Sequence, residues 1–86
     1  MIVQRIEPAD ALRRDGEMVL MLDNGTVFRL SALSAAIFEL AEHPVEEDVL
    51  ARALALRFGA PDGSSPLDAT KDAVTDLVRH GVLKEL

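Results

Sequence analysis

The side chains that invite chemistry are two histidines, scattered serines and a short acidic run, and their spacing decides against a catalytic or metal site. His43 falls at a predicted helix junction and His80 at the end of the last predicted helix, far apart in sequence and outside any His-Glu-x-x-His pattern, so no metal centre is expected. Ser31 and Ser34 sit at a helix start and Ser64 and Ser65 in a loop, which suits capping better than a nucleophile on a strained elbow. Glu46, Glu47 and Asp48 are contiguous, so a helix splays them apart, and they suit a helix dipole rather than an acid/base pair. Asp23-Asn24-Gly25 reads as a turn, not as a phosphate-cradling loop, and cysteine is absent. The chain is expected not to be an enzyme and to need no cofactor.

Composition narrows the partners. A chain of 86 residues predicts one domain over 1–86, with little room for a deep cavity. With 49% apolar and 28% charged residues it is expected to fold, around an aliphatic core because aromatics are only 3%. A net charge of −6 and few rings disfavour nucleic acid and anionic membranes as partners. No long apolar run or signal-like start is visible, so a cytoplasmic location is expected.

The elements that would position a binding site are a hairpin and three helices. Residues 2 to 6 alternate as a short strand or arm, and residues 9 to 15 read as a turn or part of an early strand. Asn24-Gly25 predicts a two-residue loop that folds residues 18–22 back on residues 26–30. That loop pairs Met21 with Phe28 and Val19 with Leu30 on a core face, and Leu20 with Arg29 and Leu22 with Val27 on a mixed one. The second strand is expected to leave its outer edge open to another chain. Ser31 caps a first helix with stripe Leu33, Ala36, Ile37 and Leu40. Pro44 opens a second helix that buries Val45, Val49, Ala53, Leu54 and Phe58 and stops at Gly59. An eight-residue loop leads to Ser65, which caps a third helix with Pro66 at its first position and stripe Leu67, Thr70, Val74, Leu77 and Val78. Gly81 closes that helix and Val82-Leu83 tuck the tail back.

Helices two and three beside a hairpin also suit a winged-helix DNA-binding regulator. The exposed arc of helix three argues against it, because Asp68, Asp72 and Asp76 outnumber Lys71 and Arg79 there. On the opposite flank Ala69, Ala73 and His80 either border a shallow groove for an extended peptide or simply suit a helix. A subunit that binds an enzyme without touching peptide is a third reading.

The segments Gly16-Glu-Met-Val-Leu-Met-Leu22, Gly25-Thr-Val-Phe-Arg-Leu30, the helix start after Ser31, Val45-Glu-Glu-Asp-Val49 and Ala73-Val-Thr-Asp-Leu-Val-Arg-His-Gly-Val-Leu83 together resemble the PqqD-like family, across nearly the whole chain. These are the RiPP recognition elements, which bind leader peptides of ribosomally made natural products. The resemblance implies an α+β, small winged-helix-like domain, with N-terminal antiparallel strands (hairpin 17–30) followed by three helices. It implies a non-catalytic module that adds the leader of a precursor peptide as a strand and presents it to a tailoring enzyme such as a protease, cyclase or radical SAM enzyme. The peptide would then meet Thr26, Val27, Phe28, Arg29 and Leu30 on the strand. On the third helix it would meet Ala69, Thr70, Asp72, Ala73, Asp76 and Leu77.

Overall fold

The computed structural model describes residues 1–60, 62–63 and 65–86. Pro61 and Ser64, within the predicted eight-residue loop, lie outside the described residues. The element order is β1 (Ile2–Arg5), β2 (Asp10–Arg14), β3 (Glu17–Met21), β4 (Val27–Leu30), α1 (Ala32–Leu40), β5 (Val45–Glu46), α2 (Glu47–Phe58), α3 (Pro66–Arg79) and β6 (Leu83–Glu85). The expected α+β class, strands leading into three helices, is what forms. It carries two small antiparallel sheets, ordered β5-β1-β6 and β2-β3-β4.

The ambiguous residues 9 to 15 resolve into β2, because Asp15 and Gly16 both take positive φ (51° and 82°) and close a two-residue loop between the paired Arg14 and Glu17. Asp-Gly is favoured in such a loop because both central residues must be left-handed. The hairpin predicted around Asn24-Gly25 forms with a different loop. Leu22 N–H donates to the Thr26 carbonyl at 2.8 Å, and Gly25 N–H donates back to Leu22 at 2.9 Å with Gly25 at φ 85°. This is a three-residue loop with glycine in the left-handed position. Thr26 N–H is held at 3.0 Å by the Asn24 Oδ1.

That extra residue corrects the expected register by one. Met18 pairs with Leu30, Val19 with Arg29, Leu20 with Phe28 and Met21 with Val27. A one-residue slip exchanges the faces of β3, so Met18 and Leu20 join Phe28 and Leu30 on the inner face while Val19 and Met21 join Val27 and Arg29 on the outer one. Burial agrees: Leu20 is fully buried, whereas Met21 is 44% and Val27 58% exposed. Gly25→Ala forces a side chain into the left-handed region and is expected to cost about 1–2 kcal/mol. In a domain this size that lowers the melting midpoint by roughly 4–15 °C, readable by circular dichroism.

The helix caps follow the sequence and the helix faces only partly do. Ser31 and Ser65 accept hydrogen bonds from the Ser34 and Asp68 amides, Pro66 takes the first helical position, and Gly59 ends α2 at φ 82°. In α1 the buried residues are Ala35, Ala36, Ile37 and Phe38, while Leu33 and Leu40 at the ends of the predicted stripe stay exposed. The start of the second helix is corrected from Pro44 to Glu47, because Val45 and Glu46 pair with Val3 and Ile2 of β1. Its predicted apolar face is corrected too: α2 buries Leu50, Ala51 and Leu54, with Val49 and Phe58 about half exposed. Glu47 shares the buried stripe, its carboxylate 3.4 Å from the Met1 amino nitrogen. In α3 Thr70, Val74 and Leu77 are buried as expected, while Leu67 is exposed and Val78 packs at the margin of the core. The tail does tuck back, with Val82 and Leu83 buried and β6 paired along β1.

Val3, Leu20, Leu30, Ile37, Leu50, Leu54, Val74, Leu77, Val82 and Leu83 meet in one aliphatic core, so both sheets and all three helices share it. The Arg13 guanidinium grips the Glu39 carboxylate with two hydrogen bonds and ties β2 to α1. Among the described residues no helix is long and apolar enough to cross a membrane.

Candidate peptide-binding edge

The outer margin of β4 is the feature to which the sequence pointed. In the β2-β3-β4 sheet β4 is terminal, and among the described residues no strand pairs with its far side. The loop geometry says which backbone groups face that side. Leu22 and Thr26 form a hydrogen-bonded pair, and in an antiparallel ladder such pairs alternate with non-bonded ones. Phe28 and Leu30 therefore turn their N–H and C=O toward β3, while Val27 and Arg29 turn theirs outward.

The side chains of β4 divide in the same way. Phe28 and Leu30 point to the core side, Phe28 half-buried and Leu30 buried. Thr26, Val27 and Arg29 are exposed. Across from Phe28 stands His80, which closes the C-terminus of α3; the two rings lie 5.5 Å apart, edge to face at 77°. The His80 Nδ1 lies 2.8 Å from the Asp76 carbonyl, which can only accept, so Nδ1 carries the proton there.

That ring contact identifies the flank of α3 that borders β4. Ala73 and Ala69 lie about two and three helical turns before His80, nearly in line with it. The chain leaving β4 then follows α3 in the opposite sense, because Leu33 at the start of α1 shares a cleft with Ala69 and Thr70. This cleft, about 240 Å³, is lined chiefly by Ala51, Leu54, Ala55 and Phe58 of α2, with Leu33, Pro66 and Ala69. An open strand edge and an apolar hollow thus lie along one side of α3.

The structure gathers the predicted residues unevenly. Phe28, Leu30, Ala73 and Leu77 lie in or against the common core, and Ala69 and Thr70 line the cleft, with Thr70 itself buried. Asp76 is exposed beside the flank and pairs with Arg79 at 3.4 Å. Asp72 is exposed and lies about 80° around the helix from His80. His80 was noted on the flank but not placed in the site; its signal was the helical spacing from the two alanines. Leu33 was assigned to the core, and no sequence signal marked it as a cleft wall. A second unforeseen feature is the outer face of the β2-β3-β4 sheet, where Leu12, Val19, Val27 and Arg29 surround a shallow depression with Arg14, Asp15 and Glu17.

Among the described residues no group of three His, Cys, Asp or Glu side chains is placed to hold a metal ion. The arrangement offers main-chain hydrogen bonding and apolar surface, which is the chemistry of holding an extended peptide.

No protein-family model matches the chain, and no curated protein does. Among solved structures the chain is similar to TbiB1 in complex with the TbiA(beta) leader peptide, with a TM-score of 0.76, 20% identity and 96% of each chain covered. The two chains share a fold.

Proposed function

We propose that this domain is a RiPP recognition element that captures the leader segment of a ribosomally made precursor peptide. The leader joins β4 as an added strand and lies along the Ala69, Ala73 and His80 flank of α3. The observation that carries this reading is the open edge of β4, where, among the described residues, no strand pairs with the outward backbone groups of Val27 and Arg29, and Phe28 beside them meets His80 of α3. The likeness in fold to TbiB1, whose structure holds a leader peptide, supports it. The PqqD-like segments noted in the sequence support it as well.

In this role the protein does no chemistry of its own. It holds the leader and presents the attached core to a tailoring enzyme, a protease, cyclase or radical SAM enzyme acting in the cytoplasm. Main-chain bonds supply affinity that tolerates sequence, and side-chain contacts supply selection.

The test is fluorescence anisotropy with labelled leader segments of short precursors encoded near the gene. Binding in the micromolar range or tighter is expected. Absence of binding by every such segment overturns the proposal. A salt-sensitive gel shift with duplex DNA would replace it with the regulator reading, against the acidic exposed arc of α3.

A further inference from the structure

The register of β4 carries more than an open edge, because it says which captured side chains meet which residues of this protein. We infer that the edge selects peptides with an acidic residue followed, two positions later, by a bulky apolar one. This rests on strand addition to β4 and adds the composition of the strand that is taken.

A strand joining an antiparallel sheet in antiparallel sense forms its hydrogen-bonded pairs with the residues whose backbone groups face out, here Val27 and Arg29. In such pairs the two side chains share a face and their Cβ atoms stand ~5.5 Å apart. The peptide residue opposite Arg29 therefore projects beside the guanidinium, on the outer face of the sheet. The residue opposite Val27 comes two positions later, because the strands run in opposite directions. The residue between them faces the inner side, toward Phe28 and His80.

Both outer positions stand exposed in the free protein. Arg29 is exposed and, among the described residues, meets no carboxylate within ion-pair distance, whereas Arg13 on the same sheet is locked to Glu39. Its direct cross-strand neighbour is Val19, and the charged groups around the shared depression are Arg14, Asp15 and Glu17. Val27 is 58% exposed next to Met21 at 44%, an apolar pair that ends at the open edge. A carboxylate opposite Arg29 gains a charge partner, and an aliphatic or aromatic residue opposite Val27 extends the apolar row. The whole chain carries −6 and repels acidic peptides at long range. An acidic preference at one fixed position therefore requires a local source.

The experiment pans a displayed library of random 12-residue peptides on the wild type, Arg29→Glu and Val27→Pro, with circular dichroism melts confirming that each variant folds. Wild-type pools are expected to carry Asp or Glu two positions before Leu, Ile, Val or Phe. Arg29→Glu pools are expected to exchange the acid for Lys or Arg and keep the apolar residue. One enriched peptide, synthesised with Asp or Lys at the selected position, is then competed against both proteins by anisotropy. The preference is expected to reverse by roughly two- to fivefold and to shrink at high salt. If Arg29→Glu keeps the acidic preference while Val27→Pro loses binding, the inference fails and strand addition stands. If Val27→Pro enriches the same peptides as the wild type, strand addition fails and takes the inference with it. No enrichment on the wild type overturns both.

Discussion

Val27→Pro is expected to fold like the wild type and to lose leader binding by roughly five- to 150-fold, the equivalent of about 1–3 kcal/mol for a peptide carbonyl left unpaired. The argument turns on which way one N–H points. The Leu22–Thr26 closure places the Val27 backbone groups on the open side, so proline there removes no bond from the β3–β4 ladder. Its ring also stands where the incoming strand must approach. Proline at an exposed edge with compatible φ costs little stability, so the melting midpoint is expected within about 5 °C of the wild type. Phe28→Pro is the paired control. It removes an inward ladder bond and the ring that meets His80, and is expected to lower the midpoint by roughly 10 °C or more. Calorimetric titration alongside thermal melts reads both quantities. Unchanged affinity in a folded Val27→Pro protein means that the peptide does not use this edge.

The hairpin that ends at the helix start after Ser31 made an open edge on β4 a reasonable expectation, and it stays open because the later strands β5 and β6 pair with β1 instead. Helical spacing puts Ala69, Ala73 and His80 on one flank of α3. What local spacing could not supply was which side of α3 would meet β4, because that depends on how Phe28 packs across from a residue 52 positions later. The cleft walled by Leu33, Ala55, Phe58 and Ala69 was hidden for the same reason, as its walls come from three helices. Local signals did fix the caps, because Ser31, Ser65, Pro66 and Gly59 each act within one turn. The start of α2 was not local, since β1 takes the backbone of Val45 and Glu46 into a sheet before the helix begins. The buried face of α2 shifted with it: Leu54 is buried as expected, but its companions are Leu50 and Ala51 rather than Val49 and Phe58.

Leu20→Ala is expected to destabilise the domain by about 2–5 kcal/mol, a fall in melting midpoint of roughly 10–30 °C, while Met21→Ala is expected to cost less than about 1 kcal/mol. The two residues are neighbours of similar size and opposite fate. Asn24-Gly25 taken as a two-residue loop puts Met21 opposite Phe28 on the inner face and sends Leu20 outward. The loop that forms includes Asp23, since Gly25 rather than Asn24 holds the left-handed position and Leu22 closes on Thr26. One added loop residue reverses the faces, so Leu20 is fully buried against the core and Met21 stands 44% exposed. Truncating Leu20 opens a cavity in the close-packed core it shares with Ile37 and Leu50, which refills only in part. Truncating Met21 removes surface that water already touches. Chemical denaturation of these two variants therefore reads the register of β3 against β4, while the outward amides of Val27 and Arg29 follow from Thr26 closing the ladder. If Met21→Ala proves the costlier, the two-residue loop would be the one that forms, with Met21 against the core and Leu20 exposed across from Arg29.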